Sequence, residues 1–301
     1  MTTDFSYDQA FSRNIGWTTK SEQQALRGKR VAIAGMGGVG GIHLLTLARL
    51  GIGAFNIADF DVFDIVNFNR QAGAMVSSIG RSKAEVMAEM ARDINPEIDI
   101  KIFPKGVNSD NLEEFFTGVD LYVDGLDFFA FPARQATFAA CAKMAIPAIT
   151  AAPLGMGTAT LTFLPGQMTF EEYFGWGDLP EEEKALRFLV GLAPAGLHFG
   201  YLVDPSTINL EEKRGPSTII GCQLCAGAAA AEALKVLLKR GPVLAAPRGK
   251  HYDAFTNKHV NTWRPGGHRN PFQRLTMALV RRNRAKVKAM AAARSAGKVS
   301  A

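Results

Sequence analysis

Gly35-Met36-Gly37-Gly38-Val39-Gly40 fits the spacing G-x-G-x-x-G. Glycines at 35, 37, 38 and 40 permit a tight turn and let backbone N–H groups approach phosphate at a helix start. Asp59 follows 19 residues after Gly40, where a carboxylate can accept hydrogen bonds from ribose hydroxyls. That much describes any adenine-nucleotide site, and an NAD-dependent oxidoreductase is its default reading. The residues beyond it argue for different chemistry. Asp59-Phe60-Asp61, Asn67-Phe68-Asn69-Arg70-Gln71, Gly80-Arg81-Ser82-Lys83 and Asp124-Gly125-Leu126-Asp127 follow in that order. Hydride transfer has no need of this set, whereas a nucleoside triphosphate does. Arg70 and Lys83 are cationic donors for phosphate oxygens, and Asn67 can orient them. Asp127 is placed to hold Mg²⁺ through one carboxylate and several waters. His43 falls on the first helix after the glycines, poorly placed for a hydride site.

These residues must be held by strands and helices, and the hydrophobic pattern supplies them. Strands are expected at Arg30–Gly35, Ala54–Asp59, Asp99–Phe103, Asp120–Asp124 and Ile146–Thr150, with helices at Val39–Leu50, Ser82–Ile94, Asn111–Phe116 and Phe131–Met144. Strands alternating with helices predict an α/β fold with a doubly wound, mostly parallel sheet. Asp127 then lies just past a strand's C-terminal end, on the side where such sheets bind ligands. Thr158–Leu164 reads as an antiparallel extension, Cys225–Lys239 as a closing helix and Lys250–Ala254 as a last strand. Between Pro165 and Pro216 the pattern breaks down, which predicts a long crossover excursion over the surface.

The run GMGGVG…DFD…NFNRQ…GRSKAE…INPE…DGLD resembles the E1-like activating enzymes, including the ThiF and MoeB adenylyltransferases and the activating enzymes of ubiquitin. RSKAEVMAEMARDINPE is also similar to tRNA threonylcarbamoyladenosine dehydratases of the same superfamily. The resemblance runs from Arg13 to Leu164 and resumes at Ile219–Leu238. It implies a Rossmann-like fold and an ATP- and Mg²⁺-dependent reaction in which a carboxylate becomes an acyl-adenylate and pyrophosphate leaves. It places Asp59 on the ribose, Asn67, Arg70 and Lys83 on the phosphates and Asp127 on Mg²⁺. Asp61 and Gln71 complete the candidate nucleotide contacts. Arg13 aligns with an arginine that reaches the partner subunit's ATP, so a homodimer is implied. Arg134 matches a family arginine, or else simply pairs with a carboxylate on a helix face; Lys83 could be a solvated surface lysine, and Asp64 reads as a turn former.

The chain departs from that family in places. There is one C-x-x-C pair, Cys222-Gln-Leu-Cys225, at the start of the closing helix. Zinc there would need His198, His251 or His259. A redox pair is the second reading, and two small residues packing a helix start the simplest. No cysteine falls between Cys141 and Cys222, so thioester transfer from the long excursion is not supported. The substrate is thus a carboxylate of open identity: a carrier-protein C-terminus, a modified tRNA or a small molecule.

The bulk numbers fit one enzyme-sized domain. Of 301 residues 47% are hydrophobic and 21% charged, which excludes a disordered or fibrous chain. Three cysteines exclude a disulfide framework and, with no secretory signal visible, point to the cytoplasm. No segment reads as a transmembrane helix, since Ile219–Leu238 carries Gln223, Glu232 and Lys235. The net charge of +6 is uneven: Arg264 to Ala301 holds ten Lys/Arg and no Asp/Glu, leaving the other 263 residues at −4. This predicts a nucleotide-binding domain over 1–263, with the excursion 168–216 on its substrate side, and a basic tail over 264–301. The tail suits nucleic acid or anionic lipid, or is a solubilising extension. A non-catalytic nucleotide-binding module docking through that tail is the reading from another class.

Overall fold

The computed structural model describes residues 5–208 and 215–282. Two short helices, α1 (Tyr7–Ala10) and α2 (Lys20–Arg27), precede β1 (Arg30–Ala34). From β1 the chain alternates: α3 (Gly40–Arg49), β2 (Ala54–Ala58), α4 (Lys83–Ile94), β3 (Asp99–Phe103), α5 (Leu112–Phe116), β4 (Leu121–Asp124), α6 (Phe131–Lys143) and β5 (Ala148–Leu154). These five strands pair in parallel in the order β3-β2-β1-β4-β5. β6 (Gly157–Phe163) folds back antiparallel on β5, and after the excursion β7 (Arg248–Asp253) and β8 (Lys258–Trp263) extend the sheet antiparallel. The expected doubly wound sheet with an antiparallel extension is present. β8 was not expected: KHVNTW is a mostly exposed edge strand with no apolar alternation to betray it.

The inner parallel strands β1, β2 and β4 are buried on both faces, as their apolar composition requires, while the edge strand β3 exposes Asp99 and Lys101. Val31 and Ile33 of β1 face α3, α4 and α9 (Ile219–Leu238), whereas Ala32 and Ala34 face the layer built from α5, α6, α7 (Phe170–Phe174) and α8 (Glu181–Leu192). α9 begins at Ile219, six residues earlier than the pattern suggested, capped by Thr218, whose hydroxyl accepts from Gly221 N. By length and hydropathy it is apolar enough to cross a membrane, contrary to expectation. Here it lies against β5 and β6, and its buried Glu232 is ion-paired with Lys235 and Lys250.

The stretch after Pro165 is only partly a surface excursion. Thr169 and Glu172 form a capping box that starts α7, and Gly175 closes it in the left-handed region. Phe170, Tyr173 and Phe174 therefore share one face at helical spacing and enter the core with Trp176 and Phe188. Trp176 is fully buried against Phe131, Phe170 and Phe188. Three glutamates after Pro180 open α8, where they complement its dipole.

The basic tail is not wholly separate either. Residues 271–282 are helical, and Met277 is buried against Leu186 and Val190 of α8. Packing thus continues past residue 263; residues 283–301 lie outside the described residues. Trp176→Ala is expected to destabilise the protein by about 3–5 kcal/mol, as for buried aromatics elsewhere. Urea denaturation checks this, and a loss below about 1 kcal/mol would mean the aromatic layer is not structural core.

Candidate functional site

The sheet's order reverses between β1 and β4, and the loops leaving those strands meet there. Gly35 has φ +87°, and a Cβ on it would collide with the carbonyl of Gly125. A Cβ on Gly40 would overlap the Gly35 carbonyl, and one on Gly125 would stand 2.7 Å from both Gly35 O and Gly40 Cα. Gly35 and Gly40 are thus needed for close packing, and Gly125 is a third member of the same contact. Gly37 and Gly38 face side chains instead, Gln71 over the first, Arg70 and Cys222 over the second.

The predicted polar residues form a connected set around this loop. Asp59 accepts from Met36 N at 2.6 Å and from Asp61 N at 2.8 Å. Burial pushes its carboxyl up from the ordinary value, opposed by those two backbone donors. The Asp61 carboxylate lies 3.0 Å from the Lys83 ammonium. Lys83 opens α4 and is 6% exposed, so it is no solvated surface lysine. Asn67 is buried, and its Oδ1 accepts from Asp64 N at 3.0 Å. Asp64 caps the short 3₁₀ turn, the turn-forming role expected of it. Arg70 is held by Val66 O and Asn69 Oδ1. Gln71 is buried, and its Oε1 has no partner among the described residues.

Asp127 stands exposed two residues past Gly125, with Oδ1 accepting from Phe129 N at 3.0 Å. Its loop rests on a buried ion pair that the sequence did not reveal. Arg134 Nε donates to Asp124 Oδ2 at 2.8 Å, both side chains 2% exposed. The same guanidinium donates to the carbonyls of Leu126, Asp127 and Phe128. Thr150 also donates to Asp124. Arg134 thus pairs with a strand carboxylate rather than one on a helix face. The signal was a lone acid ending an apolar strand, LYVD, which needs a buried partner.

Arg13 falls outside this assembly, whereas Cys222 borders it at Gly38. Arg13 is exposed on a 3₁₀ turn whose neighbours bind the far end of α3: Tyr7 donates to Gly51 O, while Arg240, past α9, donates to Trp17 O. α3 separates that end from the glycine loop by about 15 Å. Among the described residues Arg13 makes no side-chain hydrogen bond or ion pair with the loop of its own chain. The cysteines are free and buried; Cys225 donates to Ala151 O at 2.8 Å. Burial pushes both Cys222 and Cys225 thiols up, the reverse of what a reactive helix-start pair requires.

A model of the ThiF family matches residues 11–274. The chain belongs to the ThiF family. A tRNA threonylcarbamoyladenosine dehydratase of Bacillus subtilis (strain 168) is 34% identical over 153 residues, 50% of this chain and 58% of that protein. The match thus spans little more than half of that relative. Among solved structures, E. coli MccB with MccA-N7isoASN shares the fold at TM-score 0.66 and 19% identity, covering 90% of this chain and 75% of that one. The ATP complex of the E. coli dehydratase TcdA does so at TM-score 0.57 and 23% identity, covering 79% and 97%.

His43 points into the core, 1% exposed, and desolvation lowers its pKa to about 4. An unfolded chain protonates it near pH 6.5, so folding stability is complete above that value and falls as pH drops toward about 4. His43 contributes an expected slope of about 1.4 kcal/mol per pH unit in that window, beside His198, whose pKa burial also lowers to about 4. His43→Leu should reduce the slope between about pH 7.5 and about pH 5 in urea denaturation by about that amount; an unchanged slope would show that His43 does not titrate there.

Proposed function

We propose that this protein binds ATP and adenylylates a carboxylate substrate. The observation that carries the reading is the buried Lys83, ion-paired with Asp61 beside the glycine loop, with Arg70 against Gly38. Two cations converging on a phosphate-binding turn suit a triphosphate and are superfluous for hydride transfer. In this reading Asp59 takes the ribose, and Asn67, Arg70 and Lys83 take the phosphates. The Oδ1 of Asn67 is engaged by its own turn, so its amide NH₂ is the end left for a ligand. The orphaned Gln71 Oε1 asks for a donor at the same place.

Asp127 fits a Mg²⁺ ligand. It is exposed at the strand's end, and its Oδ2 makes no hydrogen bond among the described residues. Mg²⁺ bound by one carboxylate and the phosphates would offset negative charge as it moves to the leaving group. A substrate carboxylate oxygen bonds to the α-phosphorus as the bond to the pyrophosphate oxygen breaks, with no proton transferred. Both reactants are anions, so Arg70 and Lys83 lower the repulsion between them and hold the triphosphate for in-line attack. Arg134, through three loop carbonyls, fixes the backbone that presents Asp127.

Arg13 is assigned to the ATP of a second copy, which makes the enzyme a homodimer. An exposed apolar run beside the site supports this: Phe60, Val62, Ile65, Val66 and Val76 are all more than half exposed. The substrate class follows the relatives, whose names include a tRNA threonylcarbamoyladenosine dehydratase and the sulfur carrier protein ThiS adenylyltransferase of E. coli. We place the enzyme in the cytoplasm, where ATP and three free thiols coexist.

ATP–pyrophosphate exchange tests the proposal. Exchange dependent on Mg²⁺ and on a carboxylate is expected with the purified chain. Asp127→Ala and Lys83→Gln should each cut it by at least about 100-fold without altering the fold. ATP binding without exchange across small acids, carrier proteins and modified tRNA would favour the non-catalytic module, and NAD binding in place of ATP would overturn the assignment.

A further inference from the structure

Away from the glycine loop, α7, α8 and the helix over 271–282 border a cleft of about 620 Å³, open to solvent on one side, that the reaction above does not use. A second opening of about 680 Å³ adjoins it and shares Arg187, His268 and Arg269. The volume falls in the range of small-molecule sites. Four guanidiniums line the first cavity: Arg187, Arg269, Arg274 and Arg281. Arg187 and Arg281 both pair with Glu183. Arg274 has no ion-pair partner among the described residues, and Arg269 lies near the Glu172 carboxylate, whose pKa the Thr169 N–H lowers most and the Arg269 charge lowers further. Of the acids at the adjoining opening, Glu171 accepts from Gly177 N at 2.8 Å and Glu172 from Thr169 N at 2.8 Å, while Asp178 is exposed.

A second observation is independent of charge. Gln273 lines the cavity at 5% exposure, and its Oε1 has no partner among the described residues. A buried amide oxygen left unpaired is costly, and a ligand donor would satisfy it. Tyr173, Phe174 and Met277 give the same cavity an apolar wall.

We propose that this cavity is a binding site for an organic phosphate monoester, separate from the ATP site. Arg269 and Arg274 supply paired N–H donors for phosphate oxygens. The apolar wall takes the organic portion, and Gln273 hydrogen-bonds it. Arginine suits this role better than lysine because its planar fork meets two oxygens at once.

Phenyl phosphate is the probe, titrated calorimetrically into the full chain with inorganic phosphate as comparison. Saturable binding, at least about tenfold tighter than inorganic phosphate, is expected. The double substitution Arg269→Gln with Arg274→Gln should weaken it by at least about tenfold while thermal stability and ATP affinity hold. Gln273→Leu should weaken phenyl phosphate more than inorganic phosphate. Binding unchanged in the double variant, or lost instead in Lys83→Gln, would place the probe in the nucleotide loop and overturn the proposal. So would the absence of binding at about 1 mM. A single-stranded oligonucleotide is the other arm. If the double variant loses only oligonucleotide binding, the arginines serve a nucleic-acid backbone and the small-ligand site is refuted.

Discussion

Everything at the candidate site depends on how closely two strand ends approach each other. The backbones leaving β1 and β4 touch at Gly35, Gly40 and Gly125, with no room for a β-carbon at any of the three. This contact brings the start of α3, with its free N–H groups, next to the loop that carries Asp127. It also explains why β1 is RVAIA: small alanines on one face let the sheet pack tightly where strand order reverses. Interiors this dense do not deform gradually, so a methyl group in the contact would displace one loop from the other.

The close approach concentrates polar groups, and burial then decides which of them can carry charge. Lys83 survives in a buried position because Asp61 is 3.0 Å away. Arg134 and Asp124 survive because each satisfies the other and the arginine caps three carbonyls besides. Removing one member of the Asp124–Arg134 pair leaves an uncompensated buried charge, which costs more than the pair contributes. The Asp124–Arg134 pair therefore serves geometry more than stability. A backbone loop with exposed Asp127 at its tip would otherwise have nothing to fix its three carbonyls.

How much of this was legible in the sequence follows from the range of each signal. The doubly wound sheet was legible because buried parallel strands are short apolar runs and their crossover helices are periodic. The gathering of Asp59, Asn67, Arg70 and Lys83 around the glycine loop was legible because each lies near a strand or helix end. Asp124–Arg134–Thr150 was not, because it joins residues on three elements and only one, the lone acid of LYVD, looks odd in sequence. The aromatics of α7 were mistaken for surface because a five-residue helix is too short to show a period; its capping box, Thr169 and Glu172, was the readable mark. β8 was hidden by its polarity, and the packing of residues 271–282 by their charge.

That misread aromatic layer joins the two halves of the molecule. α8 carries Arg187 and Phe188 in succession, and successive helical residues point in different directions. Arg187 faces the cavity under the tail helix. Phe188 faces the core, 5.5 Å from the ring of Phe128, with the Arg134 guanidinium 4.6 Å above its own ring. Phe128 and Arg134 are the residues that shape the Asp127 loop. One helix thus packs the nucleotide side with one residue and lines the arginine-rich cavity with its neighbour. A tilt of α8 large enough to change the cavity would have to repack Phe188 against the loop, because a dense aromatic core offers no slack to absorb it. The tail helix, through Met277 on α8, is therefore tied to the site mechanically although it is remote from it in sequence.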